Sequence, residues 1–270
     1  MKSDKNWILN NNEIIPSIGF GTWQISESDV VEAVLTALNC GYRHIDTAIA
    51  YRNEIGVGKA IKLSNLDRKE IYLTSKIPAE VKTYEEAKKC IEESLERLQV
   101  EYIDLMLIHA PRPWEVLIDP TYPRLYKENL EVYRALEEAY EENKIRSIGI
   151  SNFYLADVKN IVENVRIQPT VNQICVHIGN TPKELIEYCN KNNILVEAYS
   201  PIATGRLLNN QEVIDMANKY KVSVPQLCIR YCQQIGTIPL PKSKTKEHIE
   251  SNIKIDFDIE KSDLEYLSNL

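Results

Sequence analysis

Short runs of apolar and β-branched residues alternate with longer amphipathic stretches along nearly the whole chain. The apolar runs occupy residues 18–22, 43–46, 71–76, 103–109, 145–151, 170–174, 195–200 and 237–240. Between two of them, residues 83–99 place apolar or small side chains at positions 84, 87, 91, 95 and 98, which is the spacing of one helix face. Near-continuous apolar strands that alternate with helices predict a parallel sheet covered on both faces.

The number of strand–helix units distinguishes between the possible parallel-sheet folds. Eight units in 270 residues fit a closed (β/α)8 TIM barrel better than an open, doubly wound sheet. The segment WILNNNEIIPSI, residues 7–18, carries an Asn-rich turn and predicts a hairpin that closes the bottom of the barrel. Because no linker or low-complexity tract divides the chain, we expect one domain over residues 1–270.

Composition limits the partners. The net charge of −7 argues against nucleic acid or an anionic membrane as the main partner. No segment approaches the roughly 20 apolar residues of a membrane-spanning helix, and the apolar run in residues 1–13 is too short for a signal peptide. The six cysteines lack the spacing of a metal site. We therefore expect a cytoplasmic protein that has reduced thiols and no metal.

Polar side chains stand where the predicted strands end. They are Asp46, Lys76, His109, Ser151, Asn152, Gln173, Tyr199 and Ser200, and Tyr51 follows shortly after Asp46. Taken singly, each has a structural explanation, such as a helix cap, a surface ion pair or a core aromatic residue. In a (β/α)8 barrel the strand ends meet at one rim, where buried polar groups can compensate each other. The pattern therefore predicts a functional site at that rim.

The same segments resemble a known family. In chain order, GFGTW, GYRHIDTAIAYRNEIGVGKAI, LTSKI, YIDLMLIHAP, IRSIGISNF, VNQI, EAYSP and IPLPKSKTKEHIESN are similar to the aldo-keto reductases. The resemblance implies a barrel that binds NADPH across its top and reduces aldehydes or ketones to alcohols. It also implies a catalytic tetrad of Asp46, Tyr51, Lys76 and His109.

The chemistry of these four residue types suits the implied reaction. Hydride addition to a carbonyl creates an alkoxide, which needs a proton and electrostatic stabilisation together. Tyr51 is expected to be the general acid, because a neighbouring Lys76 would lower the pKa of its phenol. Asp46 would hold the Lys76 ammonium, and His109 would orient the carbonyl by a hydrogen bond.

The resemblance also assigns cofactor and substrate positions. No Gly-x-Gly-x-x-Gly motif is present, so a Rossmann mode of dinucleotide binding is unsupported. Instead, the resemblance implies a carboxamide site, an aromatic platform under the nicotinamide, a pyrophosphate loop and a basic segment at the 2′-phosphate. The cofactor positions are Thr22, Ser151, Asn152, Gln173, Tyr199, Ser200, Leu207, Lys242, Ser243, Lys244, His248 and Asn252. The substrate would meet Trp23, Ile49 and Trp114.

Three features depart from the family pattern. His248 stands where many NADPH-dependent members have arginine, and histidine lacks the guanidinium fork, so NADH becomes a realistic co-substrate. Ala110 replaces a tryptophan that walls the substrate pocket in many members; Trp114, in the proline-rich loop of residues 110–124, is a candidate to refill that space. The chain stops at EKSDLEYLSNL, without the C-terminal loop of longer members, so we expect an open site and broad specificity.

Two other functions remain open at this level. A Schiff-base aldolase could use Lys76 as its nucleophile, although Gln173, Tyr199 and the basic segment then have no role. The barrel could also bind the nucleotide as a redox-sensing module with little turnover. The sequence does not determine the physiological substrate or the favoured direction, and for the oligomeric state we expect a monomer.

Overall fold

The computed structural model describes residues 6–270 of the chain, and its centre is a barrel of parallel strands. The strands are β1 (Asn6–Ile8), β2 (Ile14–Pro16), β3 (Phe20–Gly21), β4 (His44–Asp46), β5 (Tyr72–Ile77), β6 (Ile103–Ile108), β7 (Ile145–Ser151), β8 (Val171–Cys175), β9 (Leu195–Tyr199) and β10 (Ile238–Leu240). The α-helices are α1 (Glu27–Asn39), α2 (Glu54–Leu63), α3 (Tyr84–Leu98), α4 (Tyr126–Glu141), α5 (Leu155–Asn164), α6 (Lys183–Lys191), α7 (Gln211–Tyr220), α8 (Val224–Gln234), α9 (Lys246–Asn252) and α10 (Lys261–Leu267). Short 3-10 helices occupy Ile49–Tyr51, Arg68–Glu70, Trp114–Val116 and Ala203–Asn209.

Strands β3 to β10 form one sheet in sequence order, and every neighbouring pair is parallel. The first and last strands close the sheet through the backbone. The amide of Gly19 donates to the carbonyl of Pro239, and that of Gly21 donates to the carbonyl of Pro241, both at 3.0 Å. The prediction of a (β/α)8 barrel is confirmed.

The amphipathic stretches become the helices of the outer layer. In α3, Ala87, Ile91 and Leu98 are buried, as the apolar spacing predicts. Thr83 precedes the helix as its N-cap, and its hydroxyl accepts a hydrogen bond from the amide of Glu86 at 3.3 Å. No helix in residues 6–270 is long and apolar enough to cross a membrane.

The predicted hairpin lies at the amino-terminal ends of the barrel strands. β1 and β2 pair antiparallel, with Trp7 opposite Ile15. Ile15 packs inside the barrel in a buried cluster that includes Leu105 and Ile238. The side-chain amide of Asn10 donates to the carbonyl of Pro169, which precedes β8, at 2.9 Å. The hairpin thus closes the bottom of the barrel, opposite the carboxyl ends of the strands, where the predicted site residues lie.

Candidate active site

Four side chains meet where neighbouring strands end. Asp46 is the last residue of β4, Lys76 lies near the end of β5, and His109 follows β6 directly. Tyr51 is the last residue of the 3-10 helix that follows β4. The parallel register aligns Asp46 with Thr74 and so sets the carboxylate beside the strand that carries Lys76. The parallel pairing of the adjacent strands β4, β5 and β6 therefore brings together the four residues of the predicted tetrad.

Lys76 is the centre of this cluster. Its side chain is 0% exposed, and its ammonium donates to both carboxylate oxygens of Asp46 at 2.8 Å. The same ammonium donates to the backbone carbonyl of Thr47 at 2.8 Å and to the hydroxyl of Tyr51 at 3.3 Å. Burial alone lowers the pKa of Lys76, but the charge of Asp46 and the contact with Tyr51 outweigh burial and raise it. The ammonium therefore stays charged inside the barrel.

The pKa of the Tyr51 phenol differs from the sequence-based expectation. Burial is the largest influence and raises the pKa of Tyr51, the nearby charge of Asp46 raises it further, and Lys76 lowers it. Lys76 does lower the pKa of Tyr51, as expected. Burial raises that pKa by more, because a buried anionic phenolate is costly, so the net shift is upward. Tyr51 therefore carries its proton near neutral pH, which is the state a proton donor requires.

His109 lies against two aromatic rings. Its imidazole packs edge to face on Tyr51, with ring centroids 5.6 Å apart, and on Trp114, at 5.0 Å. Burial, and then the charge of Lys76, lower the pKa of His109 well below its ordinary value, so the ring is neutral. Its Nδ1 atom is buried without a hydrogen-bond partner.

The residues expected at the nicotinamide form a connected group beside the tetrad. The Tyr199 hydroxyl donates to Asn152 Oδ1 at 2.7 Å, and Asn152 Nδ2 donates to the carbonyl of His109 at 2.9 Å. The Ser151 hydroxyl donates to the carbonyl of Gln173 at 2.8 Å. These contacts join the ends of β6, β7, β8 and β9 into one polar surface.

Thr22 is fully buried below this surface, where its hydroxyl donates to the carbonyl of Asp46 at 3.0 Å. It therefore supports the strand that carries the tetrad carboxylate. Trp23, the next residue, is largely exposed, and Ile49 is half-buried. Both predicted substrate contacts are thus at least partly accessible to solvent.

The loop after β9 has an unusual backbone. Ser200, Ala203 and Thr204 all have φ near +50°, at 52°, 49° and 53°. Non-glycine residues in this region carry strain, which clusters at functional sites. Leu207, expected beside the cofactor, is buried in the main hydrophobic cluster. This loop remains a candidate pyrophosphate site. Leu207 contributes to it mainly by packing in the hydrophobic core and anchoring the loop.

The basic segment after β10 is open to solvent. Lys242, Lys244 and His248 are exposed, Ser243 is half-buried, and Asn252, at the end of α9, is buried. The sequence did not indicate that Lys244 forms an ion pair, 3.0 Å long, with Asp29 of α1. An exposed pair of this kind is weak, so the lysine can exchange partners.

The loop after β6 carries Trp114 to the tetrad. Ala110 points away into a small buried cluster with Ala79 and Leu117, whereas the Trp114 ring rests on His109. The guanidinium of Arg112, only 8% exposed, donates to the carbonyls of Asp119 at 2.7 Å and Tyr122 at 3.1 Å, and also to the carbonyl of Leu117. Arg112 thus holds the loop from inside by hydrogen bonds to backbone oxygens.

Several contributors to the site were not predicted. Arg112 gave no signal beyond its place in a long loop. His44 and Glu197 are fully buried inside the barrel. They could have been found, because each puts an ionisable side chain within an apolar run, in RHI and ILVEA. The Thr47 carbonyl that accepts from Lys76 is a backbone group and leaves no trace in the sequence.

Comparison with known proteins agrees with this architecture. The model of the Aldo/keto reductase family matches residues 17–270. A glyoxal reductase of Bacillus subtilis is 38% identical over 264 residues, covering 97% of this chain and 91% of that protein. An aldehyde reductase of Saccharomyces cerevisiae is 37% identical over 281 residues, covering 97% and 89%.

Solved structures give the same result. An aldo/keto reductase from Brucella melitensis superposes with a TM-score of 0.88 at 38% identity, covering 97% of this chain and 98% of that one. An aldo-keto reductase from Bombyx mori in complex with NADP superposes with a TM-score of 0.87 at 32% identity, covering 97% and 91%. This chain therefore belongs to the aldo/keto reductase family, whose members generally reduce carbonyl groups with NADPH, and it is an oxidoreductase that acts on carbonyls.

Proposed function

We propose that this protein reduces small aldehydes and ketones to alcohols with NADPH, and that Tyr51 is the general acid. One observation carries the proposal. The buried Lys76 ammonium contacts the Asp46 carboxylate and the Tyr51 hydroxyl at once, next to a neutral His109. A cation that touches a phenol stabilises the phenolate left after proton donation, and the effect is larger away from water.

The residues present fit a bound nicotinamide dinucleotide. Ser151, Asn152, Gln173 and Tyr199 offer amide, hydroxyl and aromatic groups in one connected patch beside the tetrad. The exposed ammonium groups of Lys242 and Lys244 suit a 2′-phosphate, which binds cations readily. When bound, NADPH supplies the hydride. His248 in place of arginine leaves NADH as a second donor in this proposal.

Each tetrad member then has a distinct task. The neutral His109 imidazole donates its single N–H to the carbonyl oxygen and fixes the orientation of the substrate. Tyr51 donates its phenolic proton to the oxygen as negative charge develops there. Lys76 stabilises the phenolate, and Asp46 holds Lys76 in place and compensates its buried charge. The proton lost from Tyr51 is restored from solvent after the alcohol leaves.

The substrates we propose are small, reactive carbonyl compounds. This choice is supported by the similarity to a protein named glyoxal reductase. It is also supported by the exposed aromatic side chains of Trp23, which follows Thr22 at the end of β3, and Trp114, which packs on His109. Trp114 takes the place of the indole that Ala110 lacks.

The test measures the loss of reduced-nicotinamide absorbance with a panel of aldehydes, dicarbonyls and keto acids. The unaltered protein is expected to turn over at least one of them. Tyr51→Phe should lower kcat by at least about 100-fold, the contribution of a positioned general acid, and should leave NADPH affinity within about threefold. The matched control is Tyr266→Phe, which removes a hydroxyl that donates to Glu212 on the outer surface. Its kcat and its NADPH affinity should equal those of the unaltered protein.

Two outcomes would replace the proposal. Borohydride trapping of a substrate carbon on Lys76 would indicate the Schiff-base aldolase. Tight NADPH binding without turnover of any carbonyl would indicate the nucleotide-sensing module. Full activity in Tyr51→Phe would exclude this residue as the acid.

We further propose that the chain acts as a single domain and a monomer in the cytoplasm, with small molecules rather than nucleic acid as its partners. The net charge of −7 supports the last point, because nucleic acid attracts basic surfaces. In residues 6–270, no group of three or more His, Cys, Asp or Glu side chains is placed to hold a metal ion. The proposed chemistry uses protein groups and the dinucleotide alone.

A further inference from the structure

Glu197 is a buried carboxyl group that the proposed mechanism does not use. It lies in the middle of β9, and its side chain is 0% exposed. Its Oε2 atom accepts a hydrogen bond from Gln173 Nε2 at 2.8 Å. Its Oε1 atom lies 3.7 Å from His44 Nε2 and has no hydrogen-bond partner. A carboxyl group in such a place needs an explanation, because burial of an ionisable group costs free energy.

The contact with Gln173 links Glu197 to the tetrad. The same Gln173 nitrogen donates to Asp46 Oδ2 at 2.8 Å. A side-chain amide nitrogen has two hydrogens, and these two carboxyl groups take both. The orientation of the amide is thereby fixed, and only its oxygen is left to accept a hydrogen bond from the proposed carboxamide. Glu197 and Asp46 thus clamp one residue of the cofactor surface between them.

The charges around Glu197 determine its protonation. The groups that face it are His44 and Asp46 of β4, Tyr72 and Lys76 of β5, and Gln173 of β8. Burial, followed by the charge of Asp46, raises the pKa of Glu197 to about 8, while Gln173 and Lys76 partly oppose this rise. Burial and Lys76 lower the pKa of His44 to about 3, so His44 supplies no positive charge. Lys76 is already paired with Asp46.

The cluster is therefore balanced only while Glu197 holds its proton. With Glu197 neutral, one carboxylate and one ammonium cancel inside the barrel. Ionisation of Glu197 adds a second negative charge that no facing cation is free to offset. That charge opposes formation of the Tyr51 phenolate, since both anions share the field of Lys76.

We propose that Glu197 is a positioning residue for carbonyl reduction, whose protonated carboxyl group holds Gln173 against Asp46 and whose ionisation slows proton donation by Tyr51. This inference rests on the proposed function. It adds a second buried proton-holding group to the site. It makes the activity of the enzyme dependent on a residue that contacts neither substrate nor the reacting atoms.

The test compares pH profiles. In the unaltered enzyme, kcat is expected to fall about tenfold from pH 7 to pH 9, as one group with a pKa of about 8 ionises. Glu197→Gln keeps the shape and the acceptor oxygen without the titration. At pH 7 this variant should retain kcat within about threefold of the unaltered enzyme. Its kcat should then decrease little between pH 7 and pH 9. Glu197→Leu, which removes one of the two acceptors of the Gln173 amide nitrogen and leaves only Asp46, should lower kcat at every pH and raise KM for NADPH.

The matched control is Glu137→Gln. Glu137 is a buried carboxyl group of α4, outside the barrel, that accepts from the amides of Arg166 and Ile167. This variant should lose stability and keep the pH profile of the unaltered enzyme.

A second readout is independent of turnover. In protein labelled with carbon-13 at the glutamate carboxyl groups, one resonance should titrate near pH 8, and it should be absent in Glu197→Gln. If the unaltered enzyme and Glu197→Gln show the same alkaline fall, or if no such resonance exists, the inference is overturned while the proposed function stands. If the unaltered protein reduces no carbonyl at any pH, the proposed function itself has failed.

Discussion

The ion pair between Lys76 and Asp46 should make replacement of either residue alone at least as destabilising as replacement of both. Lys76 is 0% exposed and Asp46 is 4% exposed, so each charge depends on the other for compensation. At the observed N–O distance of 2.8 Å, Coulomb's law with an effective dielectric constant of about 20 gives an attraction of about 6 kcal/mol as an upper bound. Loss of one partner from a buried pair typically costs about 3–5 kcal/mol.

The double variant Asp46→Asn/Lys76→Met removes both charges together and keeps similar side-chain volumes. Neutral replacements of buried pairs are often well tolerated. We therefore expect the double variant to be no less stable than either single variant. The coupling free energy of the cycle should then be at least about 3 kcal/mol. The carbonyl reductase activity of all three variants should fall by at least about 100-fold, because each disrupts stabilisation of the Tyr51 phenolate.

Urea unfolding followed by tryptophan fluorescence measures the four stabilities. The same cycle on Arg134 and Glu131, an exposed pair in α4 with side chains 57% and 50% exposed, is the control and should give a coupling below about 1 kcal/mol. If the stability losses in Asp46→Asn and Lys76→Met add up to the stability loss in the double variant within about 0.5 kcal/mol, the two charges do not compensate each other. Retained activity in the double variant would refute the role assigned to Lys76.

Two further predictions concern the rim of the cleft. Trp114→Ala should raise KM for small carbonyl substrates about five- to thirtyfold, which corresponds to about 1–2 kcal/mol of lost aromatic contact. Trp7→Ala, on the bottom hairpin, is the control, and equal KM values in the two variants would contradict the assignment of Trp114 as a wall. His248→Arg should lower Kd for NADPH about five- to thirtyfold, as expected for one charge-assisted contact of about 1–2 kcal/mol, and should leave Kd for NADH nearly unchanged. Fluorescence titration of both dinucleotides checks this, and equal gains for the two would show that residue 248 does not meet the 2′-phosphate.

Local pattern was enough to predict most of the architecture. The buried strands β5 and β6 appear in the sequence as apolar runs at residues 71–76 and 103–109, within a residue of their observed bounds. The helix predicted over residues 83–99 is observed as α3, Tyr84–Leu98. Strand and helix periodicity are local properties of the chain, and eight repeated units at this length leave few ways to bury every apolar face.

The proximity of the candidate site residues was predictable, but their electrostatics were less so. The tetrad and the cofactor surface were named from motifs, and their proximity follows from the common rim of a parallel barrel. The net shift of the Tyr51 pKa was not predicted, because burial and Asp46 oppose Lys76 and only their distances decide the balance. The loop clamp by Arg112 was missed because its acceptors are backbone carbonyls.

The sequence by itself determined the alternation of strands and helices, the family, and the kinds of side chain at the strand ends. Only the tertiary structure determined which of those side chains form hydrogen bonds and ion pairs with each other. Gln173 bonds to Asp46 across 127 positions of sequence, and Glu197 takes the other hydrogen of the same amide. The reason is physical: periodicity is encoded within a few turns of chain, whereas hydrogen bonds and burial energies depend on ångström distances that exist only once the barrel has closed.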